Sequence, residues 1–291
     1  MHDQFAPEPQ ILLDQLETRS TRHETPCGDG KMVWRMWAEA GEAAPVVALF
    51  HGGAGSWRHW VHTIPALASR YRVLVPDLPG LGESAFPPDG EDANAIAAIV
   101  AEGIDQIIGA QTPYAVVGFS FGATMAACVG AQRGSRVRSV TLIGCSGITP
   151  AGGGQLGSGT QLLKVRKLEG EERREAHREN LGRLMIANRG RIDELALLIQ
   201  EWNTVRSRLK TPALSRSGAT MQALERLQTP LNAIWGEFDA PANPQAPKRA
   251  AALRELRPDA DVRMIDGAGH WVAYETPATV NAMLLDMLAR S

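Results

Sequence analysis

The stretch Gly118-Phe119-Ser120-Phe121-Gly122 decides the fold of this chain. The apolar run Tyr114–Val117 precedes it directly and the small residues of Ala123–Ala131 follow it, so the pattern predicts a strand, a tight turn and a helix. A serine on such a turn has strained backbone geometry, and small residues two positions to either side let strand and helix approach closely. The N–H groups at the start of the helix then face any charge that develops on an oxygen nearby. Ser120 is therefore the predicted nucleophile.

Further apolar, β-branched runs on both sides of this stretch predict a sheet. Before it stand Lys31–Trp37, Pro45–Phe50 and Tyr71–Val75, and after it stand Val137–Ile143, Leu231–Trp235 and Val262–Ile265. Continuous apolar runs such as Val46–Phe50 suit strands that are buried on both faces. Right-handed crossovers through the intervening helices then predict an α/β fold, with a mostly parallel central sheet and helices on both faces.

One long segment interrupts the alternation of strands and helices. It opens with a glycine-rich loop, residues 151–159, and continues as charged, helix-forming sequence from Gln161 to Leu209. We predict that residues 148–228 form an inserted helical lid, hinged at the glycine-rich loop, on a core made of residues 1–147 and 229–291. The insertion has 14 Lys+Arg against 9 Asp+Glu and the remainder has 16 against 23, so their net charges are +5 and −7.

A serine hydroxyl is a weak nucleophile until an imidazole accepts its proton, and the imidazole needs a carboxylate that orients it. His270 is the predicted base because it stands in a loop just after the last predicted strand. Asp239 is the predicted acid because it follows the preceding strand and should lie at the same edge of the sheet. The rival acids are Glu237, which is crowded into the turn, and Asp266, which is too close in sequence to reach behind the histidine easily.

The other histidines are assigned to other places. His51 begins a glycine turn and is expected to be structural, whereas His59 and His62 are expected on the surface of a helix. The remaining three stand before the first predicted strand or in a charged helix of the insertion, namely His2, His23 and His177. This leaves His270 as the candidate base.

Two backbone N–H donors are expected to hold the negative oxygen of a tetrahedral intermediate. The N–H of Phe121 is one of them, because this residue follows Ser120 at the start of the helix. The second is predicted in the loop His51–Ser56, where glycines let an amide point inward without a side chain in the way. Gly53 is the first choice and Ala54 the reserve. The loop lacks the full GxGxxG spacing and a following lysine, which argues against a phosphate cradle.

Composition argues against several other classes of function. The chain has 291 residues, a length that fits a large globular domain. Its formal net charge of −2 provides no excess of basic residues that would neutralise the phosphates of a nucleic acid. Its 3 cysteines are widely spaced and form no CxxC pair, which argues against disulfides or a zinc site. Residues 1–10 lack a signal-peptide pattern, and no run approaches the roughly 18 apolar residues of a membrane span. We expect a cytoplasmic protein with no metal, no cofactor and no nucleic-acid or membrane partner, and a homodimer is left open.

These motifs together resemble the α/β-hydrolase fold superfamily, in its branch of lidded carboxylesterases and meta-cleavage-product (carbon-carbon) hydrolases. The matching pieces span nearly the whole chain: His51-Gly52-Gly53, Asp77–Ser84, Gly118–Gly122, Gly236–Asp239 and Gly269-His270-Trp271. The resemblance implies a catalytic triad in the chain order serine, aspartate, histidine, here Ser120, Asp239 and His270. It also implies that Asp77–Ser84 is a structural turn at the rim of the site. A nucleophilic aspartate, as in related dehalogenases and epoxide hydrolases, is excluded by the serine at the elbow.

Hydrolysis of small to medium carboxylic esters through an acyl-enzyme is the expected activity, because it needs only the groups named so far. Trp271, directly after the histidine, resembles the carbon-carbon bond hydrolases of ring-fission products, whereas many of those enzymes have asparagine where Phe119 stands. A ligand-binding role, or cofactor-free oxygenase or perhydrolase chemistry, is a third alternative on the same scaffold. The expected partner is a small-molecule ester or a related acyl compound.

Apolar side chains near the elbow and in the insertion are expected to line an acyl pocket: Phe119, Phe121, Trp271, Leu162, Leu163 and Trp202. The lid arginines Arg206, Arg208 and Arg216 either steer a carboxylate-bearing substrate or pair with acids of the lid. The sequence alone does not distinguish these two roles.

Overall fold

An eight-stranded sheet forms the centre of the computed structural model, which describes residues 8–149, 160–242 and 246–290. The strands are β1 (Thr21–Cys27), β2 (Gly30–Trp37), β3 (Val46–Phe50), β4 (Arg72–Pro76), β5 (Tyr114–Phe119), β6 (Val137–Ile143), β7 (Leu231–Gly236) and β8 (Asp261–Ile265). Their spatial order is β1-β2-β4-β3-β5-β6-β7-β8. Strand β2 runs antiparallel to β1 and β4, and all other neighbouring pairs are parallel. The mostly parallel sheet predicted from the sequence is confirmed.

Helices connect the strands and cover both faces of the sheet. They are α1 (Pro9–Thr18), α2 (Ile64–Ala68), α3 (Ala93–Ile108), α4 (Phe121–Arg133), α5 (Gly170–Leu184), α6 (Glu194–Val205), α7 (Thr211–Ser215), α8 (Ala219–Arg226), α9 (Ala246–Leu256), α10 (Val272–Glu275) and α11 (Pro277–Ala289). Short 3-10 turns lie at Trp57–Trp60, Gly134–Arg136 and Arg189–Arg191. Within the described ranges, no helix is long and apolar enough to cross a membrane.

Two apolar layers, one on each face, bury the central strands. In β3, Val46, Ala48 and Phe50 point into the layer that contains α3, α4, α8 and α9. Val47 and Leu49 point into the opposite layer, with α1, α2 and α11. Successive side chains of a strand point to opposite faces, so a strand covered on both sides reads as an unbroken apolar run.

The parallel direction of the strands gathers several loops at one edge of the sheet. Strands β3, β5, β6, β7 and β8 all end at this carboxyl edge. The residues that follow them are the loop 51–56, Ser120, Gly144, Asp239 and His270. In parallel α/β sheets this is the edge at which ligands bind.

The segment between β6 and β7 contains α5, α6, α7 and α8. Helix α8 packs against α4, and the hydroxyls of Thr220 and Thr124 lie 3.0 Å apart between them. Helices α5 and α6 pack on each other. The predicted hinge at residues 151–159 lies outside the described residues. The division into a core and a lid at 148–228 stays a prediction, to which the structure adds that α8 lies in the layer of core helices.

Candidate active site

Ser120 lies between β5 and α4 in a strained backbone conformation. Its φ is +54°, and within the described part of the chain Ala54 is the only other non-glycine residue with a positive φ. Gly118 and Gly122, on either side of Ser120, must be glycines because there is no space for a side chain at either position. A Cβ at Gly118 would stand 2.0 Å from the carbonyl oxygen of Gly122, and one at Gly122 would stand 2.1 Å from that of Phe50. This close approach of strand and helix leaves the serine on a sharp turn at the N-terminus of α4.

His270 and Asp239 form a buried pair at the same edge of the sheet. Nδ1 of His270 lies 2.9 Å from Oδ2 of Asp239, and the two side chains are 2% and 0% exposed. The other carboxylate oxygen of Asp239 accepts the N–H of Ala242 at 3.1 Å. Because the carboxylate is an acceptor, the hydrogen-bond network assigns the proton of the neutral imidazole to Nδ1 and leaves Nε2 as the basic nitrogen.

The two rival acids lie elsewhere. Glu237 is exposed, and its carboxylate accepts the N–H of Gly267 at 2.9 Å. Asp266 is exposed as well. Among these three acids, Asp239 alone makes a described contact with His270.

Ser120 and His270 line the same cavity. The hydrogen bonds of the described residues include the pair of His270 with Asp239 but none between Ser120 Oγ and His270. Catalytic hydrogen bonds are commonly long in structures without substrate and shorten in the complex. The structure thus brings the three predicted residues to one site and leaves the contact between serine and imidazole open.

Gly144 belongs to this site and was missed by the sequence reasoning. It follows β6 with a φ of +58°. A Cβ there would stand 2.9 Å from both Cε1 and Nδ1 of His270 and 3.1 Å from Oδ2 of Asp239. Its N–H donates to the carbonyl of Ile234 at 2.9 Å, which ties the loop to β7. The signal in the sequence is a glycine directly after a strand, at the carboxyl edge of the sheet.

The loop after β3 carries backbone amides into the same cavity. The N–H of Gly52 donates to Nδ1 of His59 at 3.3 Å, so this amide is engaged behind the loop. Within the described residues, the N–H groups of Gly53 and Phe121 donate to no protein acceptor, and both residues line the cavity. Ala54, the reserve choice, lines it too. Free amides on the wall beside a serine are what an oxyanion site requires.

His51 anchors this loop to the next one. Its Nδ1 lies 2.8 Å from the carbonyl oxygen of Gly52, and its Nε2 accepts the N–H of Leu78 at 2.8 Å. Burial lowers the pKa of His51 to about 4, so the ring is neutral at physiological pH. Both ring nitrogens are therefore used in holding backbone, which is the structural role expected for this residue.

His59 is buried, whereas the sequence suggested a helix surface. It is 2% exposed, and its ring centre lies 4.9 Å from that of Trp271. Burial, followed by the nearby rings of His51 and His270, holds the pKa of His59 well below its usual range. The neutral ring is the form that accepts the amide of the glycine loop. The prediction failed because the turn Trp57–Trp60 is folded under this loop.

The cavity has a volume of about 940 Å³ and includes Ser120 and His270 in its wall. Its apolar surface comes from the core and from the inserted segment: Phe119, Phe121, Leu162, Leu184, Met185 and Leu209. A volume of this size fits a small-molecule ligand. Of the side chains expected in the pocket, Phe119, Phe121 and Leu162 line it.

Three other side chains expected in the pocket lie outside its described wall. Trp271 is fully buried beneath the glycine loop. The ring of Trp202 is covered by the guanidinium groups of Arg58 and Arg206, which lie 3.7 Å and 4.2 Å from its centre. Leu163 is 41% exposed at the surface. Apolar character in the sequence does not distinguish a cavity wall from core packing or from a surface position.

Glu275 links the histidine loop to the segment between β6 and β7. Its side chain is buried, and its carboxylate accepts the N–H of Gly269 at 2.8 Å. It also accepts the N–H groups of Ala187 and Asn188, at 3.2 Å and 2.6 Å. The backbone that carries His270 is thus fixed to the stretch that follows α5. The sequence reasoning missed this link as well.

The chain matches a protein family over most of its length. The model of the alpha/beta hydrolase family matches residues 47–283, which contain the glycine loop, the serine elbow, Asp239 and His270. The chain belongs to the alpha/beta hydrolase family. For this alpha/beta hydrolase, the family membership and the fold expected from the sequence motifs are confirmed.

Known relatives of this alpha/beta hydrolase carry different activities in their names. The chain is 26% identical over 269 residues to the dihydrolipoyllysine-residue acetyltransferase component of the acetoin cleaving system of Pseudomonas putida, covering 90% of this chain and 68% of that protein. It is 26% identical over 268 residues to the 2-hydroxy-6-oxo-6-phenylhexa-2,4-dienoate hydrolase of Burkholderia cepacia, covering 86% and 90%. Among solved structures, a carboxylesterase of Bacillus subtilis shares the fold with a TM-score of 0.73 at 19% identity, over 97% of this chain and 98% of that chain.

Proposed function

We propose that this alpha/beta hydrolase cleaves small to medium carboxylic esters through an acyl-enzyme intermediate. One observation carries the proposal: Ser120, on its strained turn, shares a cavity with His270 and with the amides of Gly53 and Phe121, and Asp239 bonds to His270 from behind the cavity wall. Ester hydrolysis needs a nucleophile, a base, a carboxylate that orients the base, and donors for the oxyanion. It needs no further group.

Acylation begins when Nε2 of His270 takes the proton of Ser120 Oγ and this oxygen attacks the ester carbonyl carbon. The carbonyl oxygen becomes negative, and the N–H groups of Phe121 and Gly53 stabilise it at the positive end of α4. Asp239 keeps Nδ1 protonated and stabilises the imidazolium that forms. The imidazolium then returns its proton to the leaving alcohol, the C–O bond breaks, and the acyl group stays on the serine.

Deacylation repeats these steps with water as the nucleophile. Nε2 of His270 takes a proton from the water while its oxygen attacks the acyl carbon. The second tetrahedral intermediate uses the same two amides. Its collapse releases the carboxylic acid and returns the proton to Ser120 Oγ, which regenerates the enzyme.

Carbon-carbon bond hydrolysis of ring-fission products is the second candidate, because the Burkholderia relative named for such an activity matches 86% of this chain. Two features argue against it. Phe119 stands directly before the nucleophile, where many of these hydrolases have asparagine, and a phenyl ring donates no hydrogen bond to a dienol. Trp271, whose position suggested this reaction, is fully buried outside the described cavity wall.

A panel of p-nitrophenyl esters of graded acyl length, assayed beside a ring-fission dienone, tests the proposal. We expect saturable release of p-nitrophenolate that is lost in Ser120→Ala and kept in the surface control Ser69→Ala, with unfolding curves preserved in both. Turnover of the dienone without turnover of any ester would replace the proposal by the second candidate. Full ester turnover by Ser120→Ala would overturn the assignment of the nucleophile.

A further inference from the structure

Two arginines stand in the wall of the active-site cavity, and none of the described wall residues is an aspartate or glutamate. Arg216 directly follows α7 of the inserted segment, and Arg249 lies in α9 of the core. We propose that these two arginines form a subsite for an anionic group, so that the favoured substrates are esters that also carry a carboxylate. The inference rests on the proposed ester hydrolysis and adds the class of substrate.

Arg249 is a cation held inside the protein. Its side chain is 1% exposed, its Nη1 donates to the carbonyls of Ser146 and Ile148, and its Nε has no hydrogen-bond partner. Within the described residues it forms no salt bridge, and the carboxylate that acts on it electrostatically, Asp239, is already bound to His270. A buried charge without a direct counter-ion is unfavourable. A substrate carboxylate in the cavity would supply that counter-ion.

Arg216 is the arginine of the segment between β6 and β7 that lines the described cavity wall, whereas most other arginines of this segment have partners elsewhere. Those near α5 pair with acids: Arg173, Arg174, Arg178, Arg183 and Arg189. Arg206 lies over the ring of Trp202, and Arg208 donates to the carbonyl of Ser84. In the described part of the chain, the side chain of Arg216 has neither an ion pair nor a hydrogen bond, and it is exposed. Its charge is therefore available to a ligand in the cavity.

The cavity has the size and the charged wall residues that such a substrate needs. A volume of about 940 Å³ leaves room for a second polar group beside a short ester. The planar guanidinium group presents several N–H donors in a geometry that matches a carboxylate. Residues 148–228 have 14 Lys+Arg against 9 Asp+Glu, a net charge of the sign that attracts an anion.

Two matched pairs of esters test this inference. One pair carries its charge on the alcohol side: 4-butanoyloxybenzoate against the neutral 4-butanoyloxybenzamide. The other carries it on the acyl side: the mono-p-nitrophenyl ester of adipic acid against the corresponding terminal amide. For each pair the measured quantity is the ratio of kcat/KM for the anionic ester to that for the neutral one. Turnover of the neutral esters tests the proposed hydrolysis, and the ratio tests the subsite, so the two can fail separately.

The ratio is measured in the unsubstituted protein and in Arg216→Gln, Arg216→Glu and the control Arg206→Gln, whose arginine lies outside the described cavity wall. In at least one pair, we expect the ratio to fall about fivefold in Arg216→Gln, because the contact between the guanidinium group and the substrate carboxylate is lost. We expect it to fall further in Arg216→Glu, because the charge at this position is then reversed. We expect the wild-type ratio to shrink as salt is raised and the control to keep it. The inference would be overturned if both Arg216 variants kept the wild-type ratio for both pairs. It would also be overturned if the ratio fell in Arg206→Gln as much as in the Arg216 variants.

Discussion

Replacing Gly144 by alanine tests how tightly the candidate base is held. The new Cβ would stand 2.9 Å from Cε1 and Nδ1 of His270 and 3.1 Å from Oδ2 of Asp239. Contacts this short do not persist, so we expect the imidazole to shift by a few tenths of an ångström. The backbone is strained as well, because the φ of +58° is one that side chains beyond glycine rarely adopt.

Gly134→Ala separates the two effects. Gly134 has a φ of +54°, and a Cβ there would meet nothing within 4 Å. Backbone strain at such a φ costs about 1–3 kcal/mol, so both variants should lose stability of this order. Only Gly144→Ala should also displace the base. A misplacement of about 1 Å can cost roughly 100-fold in rate, so a shift of a few tenths should lower kcat/KM about tenfold, or about 1.4 kcal/mol in barrier.

The assay is kcat/KM for a neutral p-nitrophenyl ester, with urea unfolding of the same samples. We expect Gly134→Ala to keep the wild-type kcat/KM and Gly144→Ala to lose about tenfold while both remain folded. If Gly144→Ala were as active as Gly134→Ala, the packing of this glycine against the base would not matter for catalysis. If both lost activity equally, strain alone would explain the loss.

Three further predictions concern stability and the cavity wall. The pKa of His51 is lowered to about 4, so below pH ~6.5 the folded protein binds fewer protons than the unfolded chain. The free energy of unfolding, measured with urea, should therefore fall by up to about 3 kcal/mol as the pH drops from ~6.5 to ~4, and a flat profile would contradict this. Glu275→Gln keeps the size of the side chain but places an amide NH₂ against backbone N–H groups, so the free energy of unfolding should fall by about 2 kcal/mol and kcat should fall as well. Unchanged stability and unchanged kcat would show that this link is unimportant. Leu162→Ala should alter acyl-chain preference while its neighbour Leu163→Ala should not, and equal effects in the ester panel would refute the described wall.

The strands that were predictable are those covered on both faces. Val46–Phe50 and Tyr114–Phe119 read as apolar runs because each of their residues is buried. Strand β1 was missed for the opposite reason. Its sequence, Thr21–Cys27, is polar, it pairs with β2 alone at the edge of the sheet, and most of its side chains are exposed or half-buried. The periodicity of apolar residues arises from burial, so a strand with few buried side chains gives only a weak pattern in the sequence.

The candidate site was predictable where chain position alone determines location. Residues that directly follow parallel strands must meet at one edge, which is why Ser120, Asp239 and His270 could be proposed together. The contacts of His59 and Glu275 could not be read in this way. His59 bonds through its carbonyl to Trp271, which is far away in the chain, and Glu275 binds amides of the inserted segment. Such contacts depend on tertiary packing and leave no local pattern.

The pocket was the least predictable part. Leu162 and Leu163 are adjacent and of the same type, yet Leu162 lines the cavity and Leu163 does not. Trp202 is as apolar as any predicted wall residue, but it serves as a surface for two guanidinium groups. Residue type indicates whether a side chain can be buried. The direction in which the side chain points depends on how the helices between β6 and β7 pack on the sheet and on each other.

Labelling with a fluorophosphonate, located by tandem mass spectrometry, tests the central claim most directly. The reagent reacts much faster with a serine that a neighbouring base activates than with an ordinary serine. We predict one label, on Ser120, in the wild-type protein and none in His270→Ala, which keeps the serine but removes its base. Ser146 lines the same cavity and serves as an internal comparison, because it lies off the elbow. A label on Ser146 or Ser84, or undiminished labelling of Ser120 in His270→Ala, would contradict the account.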